Sequence, residues 1–131
     1  MSDELFKQEG YDLMAAAFEV YNKMGSGFLE DVYQECLALE LSARKIPWIA
    51  KPKLSIVYKA QPLNKWYEPD LVVFSEIIVE LKAARTLAPE HEAQLINYLK
   101  ATRKRVGYLI NFGAHPRLEW RRFVIDPMVT E

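Results

Sequence analysis

The feature that most constrains this chain is a pair of short apolar segments that carry charged residues. The first covers residues 66–74 and contains Asp70, and the second covers residues 77–83 and contains Glu80 and Lys82. Both segments are rich in β-branched and aromatic residues, which favours β-strands. A charge in a half-buried strand is costly unless it is paired or bound to a metal. We therefore interpret these charges as a site rather than as part of a core.

The strand geometry separates the charged residues from their apolar neighbours. Residues two apart along a strand project from the same face, so Glu80 and Lys82 share one face. Val79 and Leu81 then point into the opposite, apolar layer. The alternation predicts a polar site above a hydrophobic core.

The loop between the two strands decides whether the two acids meet. A two-residue loop would pair Phe74 with Ile77, which would put Asp70 and Glu80 on opposite faces. A three-residue loop would instead pair Val73 with Ile77. The two acids would then lie side by side, with Cβ atoms about 5 Å apart. A bulge would have a similar effect. The site hypothesis therefore predicts a three-residue loop or a bulge.

The order of Asp70, Glu80 and Lys82 resembles the signature of the PD-(D/E)XK nuclease superfamily. Further segments resemble one of its branches, the bacterial GxxExxY family, in the same order and without large gaps. These segments are residues 27–33, 91–99 and 106–112. The resemblance runs from about the first predicted helix to about the end of the chain.

The resemblance implies a restriction-endonuclease-like sandwich and magnesium-dependent hydrolysis of phosphodiester bonds, with DNA as the expected substrate. Mn²⁺ is expected to substitute for Mg²⁺. Asp70, Glu80 and the Leu81 carbonyl would supply the hard oxygen ligands that magnesium prefers. Lys82 would orient or activate the attacking water and stabilise the charge that develops on phosphate.

The GxxExxY motif makes Glu30 a further catalytic candidate, which would support the metal directly or through water. Gly27, Glu30 and Tyr33 are three residues apart and share one helical face. The alternative for Glu30 is an acid favoured by the dipole at a helix N-terminus. Tyr33 is a substrate-binding candidate, whose alternative is a core aromatic with a satisfied hydroxyl.

A later helix carries three more candidates. The resemblance gives Gln94 the role of orienting Lys82 or the phosphate. Tyr98 lies four residues further on the same face and is a substrate-binding candidate, with core packing as the alternative. His91, one turn before Gln94, is another, and its alternative is a solvated residue in the first turn of the helix.

Hydrophobic periodicity predicts an α/β fold with a mixed central sheet flanked by helices. We expect one domain over residues 1–131, with loose tails at 1–8 and 126–131. Gly10 suggests that the first helix becomes regular only near Tyr11. A turn is expected at residues 61–64. The predicted helices are 5–24, 29–44 and 89–102, and the predicted strands are 48–51, 53–59, 66–74, 77–83, 106–112 and 118–125.

Charge is unevenly distributed along the chain. The net charge is −1 overall, but residues 1–47 carry −5 and residues 48–131 carry +4. The basic residues can contact the phosphates of nucleic acid, or they can be a solvated helix end and edge strand. The clustered ones are Lys100, Arg103, Lys104, Arg105, Arg117, Arg121 and Arg122.

Other features indicate a cytoplasmic protein without a membrane partner. No apolar run approaches the roughly 20 residues that span a bilayer, and the N-terminus lacks a signal-peptide layout. Cys36 is the only cysteine, which excludes an internal disulfide and makes a zinc site improbable. Trp48, Trp66 and Trp120 are interpreted as packing residues rather than as platforms for bases.

A rival interpretation is a catalytically silent module that keeps the nuclease fold and binds nucleic acid or a partner protein. Its small size and modest positive charge favour it. Against it, a degenerate copy is expected to have lost one of Asp70, Glu80 and Lys82. A homodimer, or a subunit of a larger assembly, is compatible with either interpretation.

Overall fold

The computed structural model describes residues 5–126. It contains three α-helices and seven β-strands within that range. They are α1 (Lys7–Met24), α2 (Glu30–Ala43), β1 (Trp48–Ala50), β2 (Leu54–Tyr58), β3 (Gln61–Tyr67), β4 (Leu71–Val73), β5 (Ile77–Lys82), α3 (Pro89–Thr102), β6 (Val106–Asn111) and β7 (Glu119–Val124).

Five of the strands form one mixed sheet in the order β1-β4-β5-β6-β7. The α3 crossover makes β5 and β6 parallel, and the other neighbouring strands are antiparallel. Strands β2 and β3 form a separate hairpin. This arrangement confirms the prediction of a mixed α/β sheet flanked by helices. No helix within the described range is long and apolar enough to cross a membrane.

The two faces of the sheet are buried in two separate apolar clusters. Val79 and Leu81 belong to the cluster formed with α1 and α2. Ile78 and Leu109 belong to the cluster formed with α3 and the β2–β3 hairpin. The predicted alternation in β5 is therefore confirmed, because Val79 and Leu81 face away from the side that carries Ile78.

The first helix begins at Lys7, so the prediction that it becomes regular only near Tyr11 is wrong. Gly10 is buried inside the helix, where α1 approaches the sheet. A Cβ atom at Gly10 would lie 1.8 Å from the hydroxyl oxygen of Tyr108. The glycine thus permits a close approach of helix and strand rather than marking a helix boundary.

The predicted tails differ in part from the structure. Within the first tail, residues 1–8, Leu5 and Phe6 pack against the core and the two residues after them begin α1. Burial of these apolar side chains holds the segment in place. Of the second tail, residues 126–131, only Asp126 lies within the described residues, and it is exposed. The remaining tail residues lie outside the described range.

The segment predicted as one strand, residues 66–74, is two strands. Strand β3 ends at Tyr67, β4 begins at Leu71, and the two belong to different sheets. Pro69 lies between them and has no N–H with which to continue a ladder. The chain therefore changes sheets immediately before Asp70.

The turn predicted at residues 61–64 is also wrong, because these residues form part of β3. The hairpin turns instead at Lys59 and Ala60, whose φ angles are 48° and 67°. Two consecutive residues with positive φ are typical of the tight turn that suits the twist of a hairpin. Pro62 is tolerated in β3 because an edge strand leaves some N–H groups unpaired.

Candidate active site

The β4–β5 connection has the three-residue form that the site hypothesis predicted. Val73 pairs with Ile77, which leaves Phe74, Ser75 and Glu76 as the loop. Phe74 and Ser75 have φ angles of 53° and 64°, and the Glu76 N–H donates to the Val73 carbonyl at 3.1 Å. This register sets the position of every residue further along both strands.

The register brings Asp70 and Glu80 together at the end of the hairpin. The Leu81 N–H donates to Asp70 Oδ2 at 2.7 Å. The backbone N–H of Asp70 lies 3.3 Å from Glu80 Oε1. The two carboxyl groups are therefore held next to each other by backbone donors from the opposite strand.

The Leu81 carbonyl lies on the same side of β5 as this acid pair. In a strand, the N–H and C=O of one residue point toward the same neighbouring strand. Because the Leu81 N–H points to Asp70, its carbonyl does too. Pro69 falls opposite Leu81 when the β4–β5 register is extended, and it has no N–H to donate to that carbonyl. Two carboxylates and one carbonyl make a hard oxygen donor set, which fits Mg²⁺ or Mn²⁺.

Glu80 is partly buried, and its environment favours the neutral form. Desolvation by burial, together with the negative charge of Asp70, raises the pKa of Glu80 to about 7. The Tyr67 hydroxyl donates a hydrogen bond to Glu80 Oε2, which acts in the opposite direction. Burial and the neighbouring Glu80 raise the pKa of Tyr67, so its hydroxyl stays protonated and remains a donor.

Tyr67 is a site residue that the sequence analysis missed. Its ring stacks on Tyr98 of α3, with centroids 4.0 Å apart and an interplanar angle of 3°. The sequence signal that could have identified Tyr67 is its position three residues before Asp70. As long as residues 66–74 are taken as one strand, however, Tyr67 falls on the face opposite Asp70. The break at Pro69 removes that restriction.

Lys82 is the last residue of β5 and is partly buried. Strand alternation places it on the face of Glu80, and its carbonyl accepts a hydrogen bond from the Phe112 N–H at 2.9 Å. Just beyond it, buried Asn111 holds the chain by two hydrogen bonds of 2.9 Å with the backbone of Ala84. Asn111, another residue that the sequence analysis missed, thus fixes where the chain leaves the sheet after Lys82.

A model of the PD-(D/E)XK nuclease superfamily matches residues 7–123 of this chain. The chain belongs to this superfamily. The matched span includes the acid pair, Lys82 and all three helices of the described structure. The superfamily thus accounts for the fold.

One solved structure similar in fold to this PD-(D/E)XK protein is named "Crystal structure of SSO0001". The TM-score is 0.55 and the sequence identity is 15%. The similarity covers 95% of this chain but only 63% of the other, so this chain spans less than two thirds of that protein. At this identity the comparison shows the fold alone. A comparison with curated proteins found no match.

The α3 candidates lie on the helix that covers the face of the acid pair. Tyr98 reaches the site indirectly, through its stacking on Tyr67. Gln94 is exposed on the same helix, one turn before Tyr98. His91 accepts a hydrogen bond from the Ala88 N–H through Nδ1 at 3.2 Å, which closes the first turn of the helix. His91 therefore caps the N-terminus of α3 through this hydrogen bond.

The structure does not bring Glu30 to the acid pair. Glu30 is exposed at the start of α2, and α2 packs on the opposite face of the sheet. Among residues 5–126 there is no group of three or more His, Cys, Asp or Glu that could hold a metal ion.

Helix α2 contacts the site through Gln34, whose Nε2 donates to the Asp70 carbonyl at 3.0 Å. The sequence analysis missed Gln34, which lies one turn after the acid of the motif.

Tyr33 is a core residue, as its alternative interpretation stated. It is fully buried and stacks on Phe112, with centroids 4.7 Å apart. Its hydroxyl donates to the Gly25 carbonyl and accepts from the Phe28 N–H. The tyrosine of the motif thus ties the α1–α2 connection to the sheet.

Several of the clustered basic residues make contacts within the protein. Arg121 forms ion pairs with Glu92 at 3.9 Å and Glu119 at 3.7 Å. Lys104 lies 3.9 Å from Glu76 in the β4–β5 loop. These pairs are at least partly exposed, so they contribute little to stability and leave the cations accessible to a phosphate.

Proposed function

We propose that this protein is a metal-dependent phosphodiesterase that cleaves nucleic acid, with DNA as the expected substrate. The observation that carries the proposal is the pairing of Asp70 and Glu80 across the ends of β4 and β5, with the Leu81 carbonyl beside them. Two ionised carboxylates placed side by side repel each other, and a cation bound between them offsets this repulsion. The resemblance to the GxxExxY branch supports the same activity.

The metal set in this proposal is Asp70, Glu80 and the Leu81 carbonyl, with Mg²⁺ as the expected ion and Mn²⁺ as a substitute. A divalent cation bound there would offset the charge of the phosphate and of the oxygens that become more negative during hydrolysis. We leave Glu30 out of the set because, among residues 5–126, it forms no group with Asp70 and Glu80 that could hold a metal ion.

The remaining roles follow from the chemistry of the side chains. Lys82 carries an ammonium group on the face of Glu80, and it would donate hydrogen bonds to the attacking water and to a phosphate oxygen. Tyr67 and Tyr98 would hold the Glu80 carboxyl in place. Gln94 is proposed to orient Lys82 or the phosphate, from its exposed position on α3.

The test is cleavage of single- and double-stranded DNA and RNA with Mg²⁺ or Mn²⁺. We expect Asp70→Ala and Lys82→Ala each to lower the rate by at least about 100-fold, because each removes a group that stabilises the transition state. Asp31→Ala, which removes an exposed carboxylate from α2, is the matched control and should cleave like the wild type. Equal background cleavage by all four proteins would overturn the proposal.

A second candidate is the catalytically silent module that binds nucleic acid or a partner protein. The observation that favours it is that both acids already accept hydrogen bonds within the protein, Asp70 from the Leu81 N–H and Glu80 from the Tyr67 hydroxyl. A site satisfied in this way can be retained for structure alone. Nucleic-acid binding that persists without divalent cations, together with no cleavage under any condition, would select this candidate.

The proposal includes a cytoplasmic location. The oligomeric state is left for measurement. One small site hydrolyses one strand, so cutting both strands of a duplex would require two copies or two binding events. The mass of the protein in solution, measured with and without a duplex by light scattering, distinguishes a monomer from a homodimer or a larger assembly.

A further inference from the structure

The β2–β3 hairpin has one face against the protein and one face open. Leu54, Ile56 and Tyr67 pack toward α3 in the second apolar cluster. Two large aromatic rings of the hairpin are exposed: Trp66, on the open side, is 49% exposed, and Tyr58, next to the turn, is 63% exposed. Trp66 is therefore not a core residue. Strand alternation turns it outward once Tyr67 turns inward.

The hairpin and the three residues before it carry only basic charges. Residues 51–67 contain four lysines and no acid, in a protein whose net charge is −1. The Nζ atom of Lys53 lies 4.7 Å from the centre of the Trp66 ring, and that of Lys59 lies 5.5 Å from the Tyr58 ring. Each exposed ring thus has a cation beside it. Cation–π contacts at exposed sites are weak, so a phosphate can compete with the ring for the lysine.

Glu68, the residue that follows the hairpin, fixes the orientation of the Trp66 ring. Its indole N–H donates to Glu68 Oε2 at 2.6 Å. This hydrogen bond lies in the plane of the ring, so it orients the indole without covering its faces. A ring that is held in place and open on its face loses less conformational entropy when a base stacks on it.

The basic surface continues at the tip of the hairpin. A hollow of about 660 Å³ separates the turn from the end of α3. Its cationic lining residues are Lys59, Lys100 and Arg103. A phosphate group carries the opposite charge and fits a volume of this size.

The hairpin leads directly to the acid pair. Tyr67, the neighbour of Trp66, ends β3 and donates to Glu80. With a rise of about 3.3 Å per residue, β3 extends roughly 20 Å from Tyr67 to the tip. A strand of nucleic acid that lies along the hairpin would therefore run from the basic hollow at the tip to the end of β3, where Tyr67 contacts Glu80.

We propose that the outward face of the β2–β3 hairpin binds an unpaired nucleic-acid strand, with a base stacked on Trp66 and phosphates bound by the lysines. Stacking on a side chain requires a base that is not stacked within a duplex, which is why single strands are preferred. The cleavage of such strands rests on the proposed function, whereas the binding does not. DNA and RNA share the chemistry that the surface recognises.

The experiment measures binding of labelled 20-nucleotide oligo(dT), oligo(U) and a duplex of the same length by fluorescence anisotropy, with EDTA present to prevent cleavage. We expect the single strands to bind more tightly than the duplex. Trp66→Ala should raise the Kd for oligo(dT) by about 5- to 100-fold. Trp66→Phe should recover most of the affinity. Tyr11→Ala removes a 72% exposed ring from α1 and should have no effect.

The lysines are tested by salt dependence. Lys53→Gln combined with Lys59→Gln should reduce the slope of log K against log salt by roughly 1.4, since each phosphate contact on a single strand contributes about 0.7. The paired change Lys7→Gln and Lys23→Gln on α1 is the matched control. Thermal melting that matches the wild type establishes that each variant is folded.

Three results would overturn the inference: no binding of single strands, equal or tighter binding of the duplex, or unchanged binding by Trp66→Ala. The two proposals fail separately. If single strands bind through Trp66 but nothing is cleaved, the nuclease proposal fails and the hairpin proposal stands. If DNA is cleaved and Trp66→Ala has an unchanged KM, the hairpin proposal fails and the nuclease proposal stands. The ratio of the affinities for oligo(dT) and oligo(U) distinguishes DNA from RNA.

Discussion

The two faces of the central sheet use the same strands for different purposes. On the face toward α1 and α2, Val79 and Leu81 of β5 lie in a continuous apolar cluster. On the face toward α3, the apolar cluster includes Ile78 but is replaced at the end of β5 by Glu80 and Lys82. The difference coincides with the end of β4. A polar site can form there because the ladder stops and leaves room beside β5.

The comparison also predicts a pH-dependent contribution to stability from the face toward α3. Glu80 has a pKa of about 7 in the folded protein, against an ordinary value near 4.5. Between these two values the folded state holds a proton that the unfolded state has released. Metal-free stability must therefore fall as the pH rises from about 4.5 to about 7, by at most about 3 kcal/mol from this group.

The measurement is the free energy of unfolding in urea with EDTA, at several pH values, for the wild type and Glu80→Gln. The difference between the two proteins should show the fall and then level off above pH 7. Glu30→Gln, which changes an exposed acid at the start of α2, should follow the wild type. A wild-type curve parallel to that of Glu80→Gln would show that Glu80 ionises normally.

A divalent cation should stabilise the α3 face selectively. At a concentration about 100 times its Kd, Mn²⁺ should add about 2.7 kcal/mol, or roughly 10 °C in Tm. Asp70→Asn should abolish this increase, while Asp31→Asn on α2 should retain it. The gain should be larger at pH 8 than at pH 5, because the proton competes with the cation for Glu80. An equal gain for both variants would place the cation elsewhere.

On the opposite face, steric fit rather than charge should control stability. Gly10→Ala would place a Cβ atom 1.8 Å from the Tyr108 hydroxyl and should destabilise the protein by about 2 kcal/mol. Tyr108→Phe removes that oxygen, so adding it to Gly10→Ala should recover part of the loss in a double-mutant cycle. Neither change should alter Mn²⁺ binding. Additive effects of the two substitutions would contradict the proposed contact.

A pair of tyrosines provides the smallest but most direct comparison of the two faces. Tyr33→Phe removes hydrogen bonds to the α1–α2 connection and should cost about 1 kcal/mol without changing cation affinity. Tyr67→Phe removes a donor to Glu80. The Glu80 carboxylate then loses a hydrogen bond, so the midpoint of the pH dependence should move upward. Equal effects of the two substitutions on the midpoint, in the urea series with EDTA, would refute this distinction.

Local sequence patterns were sufficient for the elements and for part of the site. Helix α3 begins at Pro89 and ends at Thr102, as predicted from the suitability of Pro89 for the first turn of a helix. The charges at Asp70, Glu80 and Lys82 could be identified from the sequence because charged residues are unusual in β-branched runs. Their mutual position could be reduced to a choice between two loop lengths, since a strand alternates with period two.

Only the tertiary structure decided which other residues approach that site. Tyr67 reaches Glu80 across 13 positions, and Gln34 reaches Asp70 across 36. Glu30, four residues before Gln34, is exposed and forms no metal-holding group with the two acids among the described residues. These differences depend on how helices and strands pack, which no local pattern encodes. The sequence determined the strands and their charged residues because these follow from short-range geometry and burial, whereas packing between distant segments determined how the site is completed.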